Sequence, residues 1–287
     1  MRRPTEISLT IILLLLAFCT VNVFSQEKMT WEQYEEAGRQ ALARGDYAEA
    51  ETQLKAALKE ASGFSLKDQR LAETLNNLAG VYRATGRFDE AETLYRRTLS
   101  ITEAALGPEH LNVAASLNNL ALLLYTRGRY EEVTRLLQRA LSITEKALGP
   151  EHADVAGRLI NLAQVYRVQR NYAEAEPLLL RAVVIREKAN GAEDEGVAVA
   201  LDNLAALYNV QKKYSVAEPL LKRSLAIKTK ALGPEHIQVA LALENYADTL
   251  SRLKRNAEAT ELRARAKSIW AKVMKKKATP PAPTSGA

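Results

Sequence analysis

The 287-residue chain holds a single cysteine, Cys19, and aromatic residues make up only 6% of it. One thiol closes no intramolecular disulfide and builds no thiolate metal cluster, so disulfide-stapled and cysteine-zinc folds are excluded. No Gly-rich phosphate loop, no Ser-His-Asp set and no paired carboxylates outside a regular register occur, so no enzyme activity and no cofactor are expected. Only one long apolar run exists, Leu9 to Val21. A strong excess of one charge is also missing. Of the formal +6, Arg2, Arg3 and Glu6 supply a net +1 and Lys275, Lys276 and Lys277 another +3, leaving about +2 for everything between. That is too weak a field for a nucleic-acid binder, and nucleic acid is not an expected partner.

What is present is repetition. Asn77, Asn119, Asn161, Asn203 and Asn245 stand 42 residues apart, each in a stretch resembling LNNLA. Such a period marks a stack of small supersecondary units. Within one unit Leu75, Leu78, Ala79 and Tyr82 fall at i, i+3, i+4 and i+7, one stripe of a first helix. After Thr85-Gly86-Arg87 the pattern restarts with Ala91, Leu94, Tyr95, Leu99 and Thr102 as a second helix. Gly107-Pro108, Gly149-Pro150 and Gly233-Pro234 read as stops, with glycine as a left-handed cap. Gly45, Tyr47 and Ala50 match Gly86, Phe88 and Ala91 at an offset of 41, so a first copy precedes the five. Small alanines at Ala79, Ala121, Ala163, Ala205 and Ala247, and at Ala91, Ala175, Ala217 and Ala259, mark where two helices cross closely. One hairpin has too little apolar surface to offset its ordering entropy, whereas six in a row share a continuous core. The expected fold is an all-α solenoid.

The order Leu78, Ala79, Tyr82, Gly86, Phe88, Ala91 and Tyr95 resembles a tetratricopeptide repeat, and the 42-residue form ending in ALGPEH is similar to the repeats of kinesin light chains and their bacterial relatives. The resemblance implies a right-handed α-solenoid of about six repeats, over 31–66, 71–107, 113–149, 155–191, 197–233 and 239–274. It also implies a protein-interaction scaffold that binds an extended partner segment on its concave face. No heptad segment precedes the repeats, so a motor subunit is not implied.

The ends carry separate signals. Arg2 and Arg3, the apolar run and Val23-Phe24-Ser25 form a secretory leader, predicted to be removed after Ser25. The mature repeat domain is then 26–274, periplasmic or secreted. Two minor alternatives are a membrane anchor through residues 7–24 and lipidation of Cys19, which follows Leu16-Ala17-Phe18. Residues 275–287 form a basic, Pro/Ala-rich tail expected to be disordered. Membrane contact is expected only through the leader or that tail.

Asparagine is about half a kcal/mol worse than alanine in a helix, yet it holds one phase of five first helices. By the resemblance, Asn77, Asn119, Asn161, Asn203 and Asn245 face the groove and hydrogen-bond a bound peptide backbone. An amide both donates and accepts, and with first helices 8 to 10 Å apart an extended ligand would meet one about every third residue. The alternative is that the amides bridge adjacent helices or persist from duplication. Arg83 and Arg167 are added as groove residues able to pair with an acidic side chain. The family's carboxylate clamp needs lysines beside the ladder, where Ala115, Gly157, Ile160 and Val199 stand instead. A second ladder, Arg97, Arg139, Arg181, Arg223 and Arg265, reads as structural, its stems covering apolar surface near glutamates. His110, His152 and His236 sit one repeat apart, too far to share a metal whose ligands lie about 2 Å away, and they read as caps and turn residues. The rival functional class is a structural component of an envelope complex, acting through self-association or convex-face docking. Neither the oligomeric state nor the partner's identity follows from the sequence.

Overall fold

The computed structural model describes residues 29–65 and 67–278, with the side chains of 276–278 left aside. The leader, its cleavage point and Cys19 lie outside the described residues, as does the end of the tail. Among the described residues there are twelve α-helices, one short 3-10 turn and no strand.

Six antiparallel hairpins follow one another. They are α1 (Trp31–Arg44) with α2 (Tyr47–Glu60), α3 (Gln69–Ala84) with α4 (Phe88–Leu106), α5 (Leu111–Thr126) with α6 (Tyr130–Leu148), α7 (Ala153–Val168) with α8 (Tyr172–Asn190), α9 (Glu195–Val210) with α10 (Tyr214–Leu232), and α11 (Ile237–Arg252) with α12 (Asn256–Ala278). Each second helix packs on its own partner and on the first helix of the next hairpin. The result is an α-solenoid with a core running its whole length.

The alanines explain the closeness of the helices. Ala79, Ala163, Ala205 and Ala247 on first helices, and Ala91, Ala175, Ala217 and Ala259 on second helices, are fully buried. Around them Leu78, Tyr82 and Tyr95, or Leu204, Tyr208 and Leu221, fill the remaining volume. Removing one such leucine would cost about 3 kcal/mol, through lost transfer energy and a residual cavity.

The hairpin turn is a left-handed residue followed by a six-residue backbone closure, as in Arg87 N–H to Tyr82 O at 2.8 Å and Asn171 N–H to Tyr166 O at 2.8 Å. Gly45, Gly86 and Gly128 supply the left-handed residue in the first three hairpins; Arg170, Lys212 and Lys254 supply it in the last three, at φ 62° to 65°. There the sequence pattern hides a strained position.

Between hairpins, the caps match the expectation for histidine. The Nδ1 atoms of His110, His152 and His236 accept from the backbone N–H of Asn112, Asp154 and Gln238, and Asp194 Oδ1 does the same for Gly196. These caps start the first helices two residues ahead of Val113, Val155, Val197 and Val239, where the apolar stripe begins. The stop glycines differ from the sequence reading. Gly107, Gly149, Gly191 and Gly233 have φ of 85° to 91° but ψ of 154° to 159°, an extended mirror-image conformation and not a left-handed helical cap. A following proline disfavours helical ψ and pushes the chain out straight, and Gly191 adopts the same turn before Ala192.

Three charge ladders tie neighbouring hairpins. Arg139, Arg181 and Arg223 each pair at 2.6 Å with Glu103, Glu145 and Glu187 of the preceding hairpin and donate to the carbonyls of Pro108, Pro150 and Ala192. At the glutamate's register position Arg97 has Ala61 and Arg265 has Thr229, so the ladder's glutamate is not repeated at those two steps. Lys146, Lys188, Lys230 and Lys272 reach back to Glu109, Glu151, Glu193 and Glu235. Third, Arg87, Arg129, Lys213 and Arg255 clamp Glu51, Glu92, Glu176 and Glu218. These pairs are largely solvated, so each contributes under about 1 kcal/mol.

Replacing Arg170, Lys212 or Lys254 by glycine should raise stability, by about 1 kcal/mol each, because a left-handed non-glycine residue costs about that much. Gly149→Ala should lower it by about 1 to 3 kcal/mol, since only glycine tolerates that conformation. Urea midpoints with unchanged slopes would check both; a destabilised Arg170→Gly would refute the strain argument.

Candidate partner-binding groove

The first helices α3, α5, α7, α9 and α11 present the asparagine ladder. Asn77, Asn119, Asn161 and Asn203 are half-buried and Asn245 is exposed. Three ladder amides donate across the helix gap to the same register position of the preceding hairpin. Asn77 Nδ2 donates to Glu35 Oε1, Asn119 Nδ2 to Asn76 Oδ1 at 2.9 Å, and Asn161 Nδ2 to Asn118 Oδ1 at 2.8 Å.

The series then changes because its acceptor disappears. Ile160 holds the corresponding place before Asn203, whose Oδ1 instead accepts from Gln164 Nε2 at 2.9 Å while its Nδ2 donates to Val199 O. Asp202 holds it before Asn245, but that carboxylate pairs with Lys228. The bridging role weighed in the sequence reading is thus present at the first four rungs. It uses the NH₂ group at Asn77, Asn119 and Asn161 and the Oδ1 atom at Asn203. Among the described residues the Oδ1 atoms of Asn119 and Asn161 accept no hydrogen bond, and neither is sealed from solvent.

Between α5 and α7 lies a pocket of about 200 Å³ lined by Asn118, Leu122, Tyr125, Leu137, Asn161 and Gln164, among others. Its lining combines amide groups with apolar side chains. Leu122 is 46% exposed, which leaves an unsatisfied apolar surface beside two hydrogen-bonding groups.

Arg83 and Arg167 are both half-buried. The Arg83 Nε is buried without an acceptor, and its guanidinium lies beside the Tyr95 hydroxyl, whose ionisation is pushed up by burial. Arg167 makes no ion pair among the described residues. Two further arginines were missed by the sequence reading. Arg158 on α7 and Arg186 on α8 are half-buried, and the Nε of each is buried with no acceptor. Burial pushes Arg158 below the usual arginine value, with Asp154 partly offsetting it. The Arg186 guanidinium lies 3.9 Å from where a Cβ on Gly157 would sit. The signal was available in the register: Thr102, Thr144, Arg186 and Lys228 are equivalent, and Lys228 has Asp202 as counterion where Arg186 has Ile160. Arg186 is therefore a half-buried cation with an isoleucine where Lys228 has its counterion.

At the N-terminal end Glu35 is buried, accepting from Thr74 Oγ1 at 2.9 Å and from Asn77, while Trp31 Nε1 also donates to Thr74. Desolvation raises the Glu35 carboxyl above its ordinary value, and the bonds from Asn77 and Thr74 act against that. A raised folded value means stability is greatest with the group protonated and is lost as pH climbs past the ordinary carboxylate range. Glu35→Gln keeps an oxygen that accepts from Asn77 and turns an NH₂ donor toward the Thr74 hydroxyl, which can accept, all without the charge. It should unfold later than the parent at pH 7 and match it in strong acid; equal thermal midpoints at pH 7 would contradict the desolvation account.

Among the described residues no cluster of three or more His, Cys, Asp or Glu could hold a metal ion, and no helix is long and apolar enough to cross a membrane. A family model described as the tetratricopeptide repeat matches residues 70–146, 127–186, 154–230 and 197–272. Among curated proteins none matches the sequence. Solved structures resemble the fold. A putative kinesin light chain from Podosopora anserina with nearly identical TPR-like repeats is 26% identical, with TM-score 0.63 over 70% of this chain and 95% of that one. BtubC (BKLC) from P. vanneervenii is 22% identical, with TM-score 0.65 over 88% and 96%. The apo form of RapI is 17% identical, with TM-score 0.63 over 85% and 99%.

Proposed function

The chain belongs to the tetratricopeptide repeat proteins, scaffolds that bind protein or peptide partners and are generally not catalytic, and from that premise we propose that it grips an extended partner segment along its concave groove. The observation that carries the proposal is the α5–α7 pocket, where exposed Leu122 sits beside amide groups of Asn118, Asn161 and Gln164. The free Oδ1 atoms of Asn119 and Asn161 accept from the segment's backbone N–H groups, an apolar side chain fills the pocket, and an acidic side chain answers Arg158 or Arg186. Asn77, Asn203 and Asn245 extend the track, and Arg83 and Arg167 add positive charge to it. The protein works as a scaffold and performs no reaction.

The site of action in this proposal is outside the cytoplasm, in the periplasm or beyond. The basic-apolar-small order from Arg2 to Ser25 supports export, and a thiol-free repeat body suits an oxidising compartment. A second reading, an assembly part of an envelope complex that docks by its convex face, has its own supporting observation in the outward face of α8.

The test uses the full chain as bait in extracts of the cells that make it. Leu122→Glu, which removes no hydrogen bond of the fold, should cut partner recovery about tenfold or more, and so should Asn119→Ala with Asn161→Ala. Lys222→Glu on the opposite face should leave recovery unchanged. Equal recovery by all of these variants would eliminate the groove as the binding surface.

A further inference from the structure

The outward faces of the second helices occupy a fixed register. At those positions α4 carries Asp89 and Arg96, α6 carries Glu131 and Arg135, and α10 carries Lys222. The same positions of α8 are Ala173, Pro177, Leu180 and Val184, all exposed, with Leu180 and Val184 at 46% and 48%. Their spacing of four, three and four residues is that of a helix-pairing seam. Lone exposed apolar residues need no explanation, but a whole stripe with this spacing does.

The charges around the stripe are altered too. The clamp that joins Arg129 to Glu92 is represented here by Asn171 and Thr134, neutral on both sides. Glu90, Glu132 and Glu258 each pair with an arginine three residues earlier. Glu174, their counterpart, follows Asn171 and has no ion pair among the described residues. At the other end of the stripe stands exposed Lys188, which meets only the exposed Glu151 at 2.8 Å and retains further donors. The 14-step separation of Glu174 and Lys188 spans about 21 Å of helix.

We infer that α8 pairs with α8 of a second copy of this chain, antiparallel about a two-fold axis near Leu180. That orientation sets Glu174 of each copy against the Lys188 end of its partner, twice by symmetry, whereas a parallel pairing would stack like charges. Charge complementarity of the face with itself selects a second copy over a foreign helix. The seam lies on the side opposite the groove, so pairing leaves both grooves open and does not depend on the groove's occupant.

Cells making the full chain as Cys19→Ser with Leu180→Cys are treated with a short bismaleimide. A cross-linked species at twice the mass of the monomer present in the same cells is expected. Val199→Cys on α9, 41% exposed, should give none. Adding Glu174→Lys should reduce the Leu180→Cys product several-fold, and adding Lys188→Glu as well should restore it. No product from Leu180→Cys, equal product from both cysteines, or a product of another mass would overturn self-pairing, and failure of the charge swap to restore it would overturn the antiparallel arrangement.

Discussion

The close crossing of two helices at fully buried alanines is the constraint on which the rest depends. With no side chain beyond a methyl at Ala79 and Ala91, or at Ala163 and Ala175, the two helices of a hairpin approach closely, and large residues lock around them. Identical hairpin geometry then makes every step to the next hairpin alike. That is why Arg139, Arg181 and Arg223 find the same carboxylate and the same carbonyl three times over. A bulky residue at one crossing would tilt one hairpin and put every later contact out of phase.

The fold was legible because periodicity reports directly on packing. Alanines, glycine stops and histidine caps each act through local geometry, and the caps took the role their sequence position suggested. The groove was legible only in part. Asn119 and Asn161 sit on the first helices α5 and α7, but the acceptors of their NH₂ groups, Asn76 and Asn118, lie one repeat back and one position off register. No single repeat contains that relation. The conformation of Gly149 was misread because proline's effect on ψ was left out of account. Arg170, Lys212 and Lys254 look like ordinary surface residues until their backbone is seen. Arg158 was overlooked because no motif marks it, and Arg186 because its signal lies in a comparison between repeats, Ile160 where Lys228 has Asp202.

The two faces treat charge differently. On the outer side, arginine, lysine and glutamate cancel in register, and exposure keeps each pair cheap to rearrange. Arg83, Arg158 and Arg186, by contrast, are half-buried, each with an Nε that has no acceptor, which costs folding energy that a ligand's carboxylate would return. The fourth hairpin departs from the pattern on both sides, with Arg186 inward and the Leu180 stripe outward.

Because every ladder contact spans a single period, the third unit could be duplicated or excised with most contacts rejoining unchanged. The histidine cap, the Arg139-type bridge and the asparagine bond would each meet an equivalent atom across the new junction. Unit number is therefore a length that gene duplication can tune, lengthening the groove by about 10 Å at a time. The fourth unit is the exception. Copying it would add another pair of half-buried guanidiniums, those of Arg158 and Arg186, and a second apolar stripe, so growth of the array is expected to proceed from the units before it.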